Sequence, residues 1–277
     1  MGLDAARETV AISRAMATVA EKQDLPRRIQ NGDNRHAGFL LLFPAGLRPG
    51  GEDIARLFDA PESSISARVS HRPDPAAGWL EVLSSGLTFD LKGLSPAEPV
   101  PMDAPPYAYG FERGRPGGAL EAIALVPSGH VAAGAVLEPV LRTMVGLAAN
   151  LALNLPVVAV AWQPAQTIMD PAYFSRIAFN WLSGGAFPAL GLTALIPAAD
   201  GSIASLGLSH FIGQEMQLEA EAGEPQAESV KLAVRLVDYL ARHGPLTAPV
   251  TIEQVGGTLL AEPSRAGKRV WVWRQPA

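Results

Sequence analysis

Residues 119–197 read ALEAIALVPSGHVAAGAVLEPVLRTMVGLAANLALNLPVVAVAWQPAQTIMDPAYFSRIAFNWLSGGAFPALGLTALIP in one-letter code. Ala119–Val126 is a continuous apolar run ended by Pro127-Ser128-Gly129, which predicts a buried strand and a turn. Glu138–Leu153 carries apolar residues at helical spacing, with Leu137, Leu141, Met144, Ala148 and Leu151 on one face. Glu138 and Arg142 form an i,i+4 pair in the favourable order on the other face, and Gly146, Ala149 and Ala152 keep the flank small enough to approach a sheet. Pro156–Trp162 predicts a second buried strand. Asp170-Pro171 then opens a helix to Leu182, with a side-chain acceptor at the N-cap and proline where no donor is needed. Gly184-Gly185 ends that helix, and Phe187–Ile196 predicts a third strand. Strands interleaved with helices at this spacing are the core of an α+β domain.

Upstream, the pattern recurs. Leu42-Phe43-Pro44-Ala45-Gly46 is echoed by Leu125-Val126-Pro127-Ser128-Gly129, and in the same register Gly51 meets Gly134, Ile54 meets Leu137 and Phe58 meets Leu141. Ala37–Phe43 predicts a strand, Pro49-Gly50-Gly51 a turn into a short helix, and Ser64–Ser70 another strand. Trp79–Ser84 and Leu87–Leu91 predict a hairpin around Ser85-Gly86. The fold expected is therefore two tandem ferredoxin-like β-α-β-β units, forming antiparallel or mixed sheets with helices packed on them. Their bounds are 36–95 and 119–277, after a helical arm at 1–35 in which Thr9, Ile12, Met16 and Val19 recur at helical spacing. Residues 96–118 hold six prolines and four glycines and are expected to be the linker, with Tyr107, Tyr109 and Phe111 packing it down on the surface.

Downstream, Val230–His243 predicts a helix stopped by Gly244-Pro245, and Thr251–Val255 and Arg269–Trp273 predict strands. In the last strand Val270 and Val272 face one way, Trp271 and Trp273 the other. Those tryptophans, with the amino-terminal helix, are candidates for a homodimer surface.

Composition narrows function mainly by exclusion. The chain has 277 residues, 48% hydrophobic and 18% charged, a globular balance. The net charge is −5 and no basic run exceeds two residues, so a nucleic-acid partner is not expected. There is no cysteine, which removes disulfides, thiolate metal sites and thiol nucleophiles. The amino terminus is acidic where a secretory signal is basic, and the most apolar window, Met144–Trp162, is broken by Asn150, Asn154 and Pro156. A cytoplasmic location, without membrane association, is expected.

No nucleotide-binding glycine motif, nucleophile elbow or zinc-helix motif occurs, and the five histidines never fall at i,i+3 or i,i+4 spacing. Neither metal nor cofactor is expected. His130 follows a strand end, where sites tend to form. The stretch Ser205–Glu219 breaks an apolar hairpin with polar residues, placing His210 and Glu215 near its bend. Glu215 with His210 or His130 is the candidate acid–base set. Trp162 and Phe211 are candidate ligand contacts.

Gly207, Leu208, Phe211 and Glu215 match the G-L-x-x-F-G-x-P-E-x-E signature of the bacterial domain-of-unknown-function family 4261, which residues 119–273 resemble. Val160-Ala161-Trp162 suits that family's upstream strand and Tyr173-Phe174 its following helix. Ile212, Gln214 and Gln217 depart from the signature, the last in place of an acidic residue. The resemblance implies a fold and no settled activity. The loss of one carboxylate points to a non-enzymatic protein-binding or accessory, immunity-like module. The alternative is a small-ligand enzyme or hydrolase using the Glu215 set.

Overall fold

The computed structural model describes residues 38–61, 65–112, 114–254 and 257–275, so the arm expected at 1–35 lies outside the described residues. These form two compact units, one of residues 38–163 and 167–185, the other of 164–166 and 186–275. The coarse α+β expectation holds, with a mixed sheet in each unit.

The larger unit runs β1 (Phe39–Pro44), α1 (Gly51–Asp59), β2 (Ala67–His71), β3 (Trp79–Ser84), β4 (Leu87–Lys92), β5 (Tyr107–Tyr109), β6 (Leu120–Pro127), α2 (Glu138–Asn154), β7 (Ala159–Trp162), β8 (Thr167–Met169) and α3 (Pro171–Leu182). Its strand order is β2-β3-β4-β6-β1-β7-β8-β5. The first stretch expected as a tandem unit shares this sheet with only the opening part of the second: β1 lies antiparallel between β6 and β7, and β6 lies between β1 and β4, while residues 186–275 belong to the other unit. The crossover β6-α2-β7 is split by β1, whereas β1 and β2, joined through α1, are separated by β3, β4 and β6. The reason is non-local: Leu40 and Leu42 lie opposite Ala124 and Ala122 on one side and Ala161 and Ala159 on the other, a pairing that local periodicity does not encode.

Alternation along these strands makes two different faces. Phe39, Leu41, Phe43, Ile123, Leu125, Val160 and Trp162 occupy one, where Phe39 packs on Trp162 and on Phe174 of α3. The helices α2 and α3 pack together, with Ser175 Oγ donating to the Ala149 carbonyl. Burying each large aromatic here contributes roughly 2–3 kcal/mol. The opposite face is shallow, built on Ala122, Ala124, Ala159 and Ala161 beside Leu40, Leu42 and Ile168. Val100, Met102, Ala108 and Phe111 pack onto it. The proline-rich segment is therefore a cover rather than a free connection. Small residues let an extended chain lie close, and prolines bring no N–H needing a partner. Tyr107–Tyr109 joins the sheet as an edge strand parallel to β8, an element the prolines around it had masked in the sequence.

Arg48 ties this unit together from the loop after β1. Its guanidinium donates to Glu121 on β6 at 2.7 Å, to the Ala97 carbonyl at 2.9 Å and to the Gly93 carbonyl. That hydrogen bond holds the Glu121 carboxyl below its ordinary range.

The smaller unit contains β9 (Ala194–Pro197), β10 (Ile203–Leu206), α4 (Ser209–Ile212), β11 (Glu215–Leu218), α5 (Gln226–His243), β12 (Val250–Gln254), β13 (Gly257–Pro263) and β14 (Arg269–Arg274). Strand order is β12-β13-β14-β11-β10-β9, parallel only between β11 and β14. The strand expected at Phe187–Ile196 is confined to Ala194–Pro197. Pro188 lacks a ladder donor and Gly191 sits at φ 140°, so the preceding residues turn instead, pinned by Phe187 N–H donating to Asp238 of α5 at 2.7 Å. Among the described residues no helix is long and apolar enough to cross a membrane.

Candidate functional site

The bend expected to hold an acid–base pair is the loop from β10 through α4 to β11. Gly207 has φ +92°, and a Cβ there would lie 2.7 Å from the Ala165 Cβ and 2.8 Å from its Cα, so only glycine fits. Leu208 is fully buried, and α4 closes on Gly213 at φ +76°. Glu215 returns its carboxylate into this loop. Oε1 accepts from the Gly207 N–H at 2.9 Å, the Ser209 N–H at 3.0 Å and the Ser209 hydroxyl at 2.6 Å. Oε2 accepts from the Ser205 hydroxyl, which itself accepts from the Met216 N–H at 2.7 Å.

A carboxylate offers about four acceptor positions, and here four of the chain's own donors converge on it, three at Oε1 and one at Oε2. Glu215 is the cap of its loop. His210 is buried, with its ring edge-on to Phe211 at 5.8 Å, and burial pushes its imidazole down to about 4. It is neutral at pH 7. Phe211 is half-buried and meets Phe187 edge to face at 4.9 Å. His130 is exposed in the other unit, in the turn after β6. Trp162 is 0% exposed beneath Phe39. The structure thus brings Glu215 together with serine hydroxyls and backbone donors. Among the described residues no three His, Asp or Glu side chains converge as a metal-binding set.

The other feature of this unit is a sheet face. Helix α5 packs against β9, β10 and β11, where Ile203, Met216 and Leu218 are buried. On β13 and β14, Leu259, Ala261, Val270 and Val272 are buried by the same alternation. The residues between them point the other way: half-buried Trp271 and Trp273, half-buried Leu260 and Gln217, and exposed Thr251, Glu253 and Glu262. The two tryptophan rings lie near-parallel, 6.5 Å apart and 18° inclined, and the Arg269 guanidinium sits 5.4 Å over Trp271 while donating to Gln217 at 2.7 Å. The tryptophan alternation is legible in the sequence. The registers that set Leu260 beside Trp273 and Glu262 beside Trp271 are not, because β13, with Gly257 and Pro263 at its ends, is not among the strands the sequence predicts.

No family model, curated protein or solved structure matches the chain.

Proposed function

We propose that the chain is a non-enzymatic binding module whose smaller unit docks a protein through the face carrying Trp271 and Trp273. The observation that carries this reading is the row Arg269–Trp271–Trp273 on a sheet face opposite the one α5 covers. Aromatic residues and arginine are the side chains that anchor protein interfaces. Around the row Glu253 and Glu262 balance Lys268 and Arg269, so the partner is a protein with an apolar centre and a mixed-charge rim. Glu215, held by four of the chain's own donors, and the buried, neutral His210 support the same reading, since both are engaged within the loop. Kinship with family 4261 enters as part of this proposal: of the four matched residues, Gly207, Leu208 and Glu215 each serve the loop's own geometry.

Lys268 is exposed beside Arg269 and supplies a cross-linking amine at the edge of the face. Amine cross-linking in the native extract, followed by peptide mapping, tests the proposal. The expected product joins Lys268 to a lysine of one partner, and Trp271→Ala/Trp273→Ala removes it. A partner retained by that double variant, or joined only through lysines of the larger unit, overturns it.

A further inference from the structure

Helix α2 is apolar almost all round, with nine of its residues buried, including Val140, Leu141, Met144 and Leu147. One stripe is different: Arg142, Thr143, Gly146 and Asn150. This stripe forms a wall of a cleft of about 340 Å³ in the larger unit. Opposite it stand Ser66 and Ser85, the latter at the tip of the β3–β4 hairpin with φ +51°; Leu147 and Leu182 add apolar surface. That volume falls within the range of small-molecule sites.

The chemistry of the wall selects a ligand class. Among the described lining residues Arg142 alone carries a charge. Its guanidinium is positioned by a hydrogen bond to the Leu182 carbonyl at 2.9 Å and by the Trp181 ring 4.8 Å away, with Glu138 at 3.6 Å. Of its five N–H donors the carbonyl uses one, and the Glu138 side chain is 75% exposed, so solvent weakens that pairing. Asn150 donates to the Gly146 carbonyl at 2.8 Å, which leaves its amide oxygen as an acceptor two helical turns from Arg142. We infer that this cleft binds a small organic monocarboxylate bearing a hydroxyl or amine, its carboxylate on Arg142 and its polar group toward Asn150 and Ser85. A single planar fork suits a carboxylate, whereas a phosphate dianion calls for more positive charge than one arginine supplies. This site is separate from the tryptophan face and stands or falls without it.

The test is proton–nitrogen correlation NMR on the full chain, titrated with para-hydroxybenzoate, with para-hydroxybenzamide as the uncharged isostere and inorganic phosphate as the competing anion. The expected result is saturable shifts of amides in 84–86 and 142–150 with the benzoate only. Arg142→Gln weakens binding roughly tenfold or more, the loss of a hydrogen bond to charge. Arg142→Lys weakens it less, and the spectra themselves report whether each variant is folded. Asn150→Ala provides a second variant that leaves the arginine in place, and it too is expected to weaken binding. Absence of saturable shifts, equal titration by the amide or by phosphate, or unchanged affinity in both the Arg142→Gln and Asn150→Ala proteins overturns the inference.

Discussion

Replacing Glu215 by alanine separates a structural carboxylate from a catalytic one. In the native loop this side chain receives two backbone N–H groups, from Gly207 and Ser209, and two hydroxyls. The hydroxyls can turn to other acceptors, but the amides are fixed by the loop. Taking roughly 1.5 kcal/mol for each amide that loses a charged acceptor gives about 3 kcal/mol for Glu215→Ala. Glu215→Gln retains a carbonyl oxygen for both amides and loses only the charge, so its cost is about 1 kcal/mol. Hydrogen exchange read by mass spectrometry localises the effect. Peptides spanning Ile203–Leu218 are expected to exchange roughly a hundredfold faster in Glu215→Ala and clearly less so in Glu215→Gln, while peptides of the larger unit are unchanged. Exchange in Glu215→Ala within about twofold of the parent would refute the assignment of this carboxylate as a cap.

Other expectations follow from the same geometry. The His210 imidazole is held at about 4 in the folded chain against 6.5 as its ordinary value, so the unfolded chain takes up the proton first as pH falls. Stability from this group is intact above about pH 6.5 and is lost progressively down to about pH 4, about 3 kcal/mol across the window. Urea unfolding between pH 5 and 6.5, above most carboxylate titrations, should show that slope in the parent and not in His210→Gln; equal slopes contradict it. Gly207→Ala forces a side chain to φ +92° against Ala165 and should cost about 3 kcal/mol, measured by the urea midpoint. An unchanged midpoint would mean that the loop relaxes freely. Trp162→Ala empties the space beneath Phe39 and is expected to cost about 3–5 kcal/mol, a core effect with no bearing on partner capture.

What the sequence made legible were the elements whose signals are local. Asp170-Pro171 places the start of α3, and the Asp170 carboxylate does accept the Tyr173 N–H at 3.0 Å. Ser85-Gly86 marks the β3–β4 turn, and both residues take positive φ. Glu138 and Arg142 lie in the paired order read from their spacing. The same helix shows the limit of periodicity: Leu137, placed on the apolar face by spacing, is the N-cap residue and is 59% exposed. Strand partners were illegible because β1 finds β6 and β7 across 76 to 123 residues, guided by the matching of Leu40 and Leu42 to facing alanines. The cover at 100–111 was half legible: Phe111 was expected to pack down, but the shallow alanine face that receives it appears only once the sheet is assembled. At the bend, spacing placed Glu215 beside its loop correctly. It could not show that Gly207 and Ser209 aim their N–H groups at that carboxylate, because this depends on the left-handed turn at Gly207.

The most direct test of the binding-module account is native mass spectrometry of the gently purified chain beside Trp271→Ala/Trp273→Ala and Glu215→Gln. The expected result is a complex with one protein partner that the tryptophan variant loses and Glu215→Gln keeps. A tightly held small molecule released by Glu215→Gln, or a protein complex indifferent to both tryptophans, would contradict it.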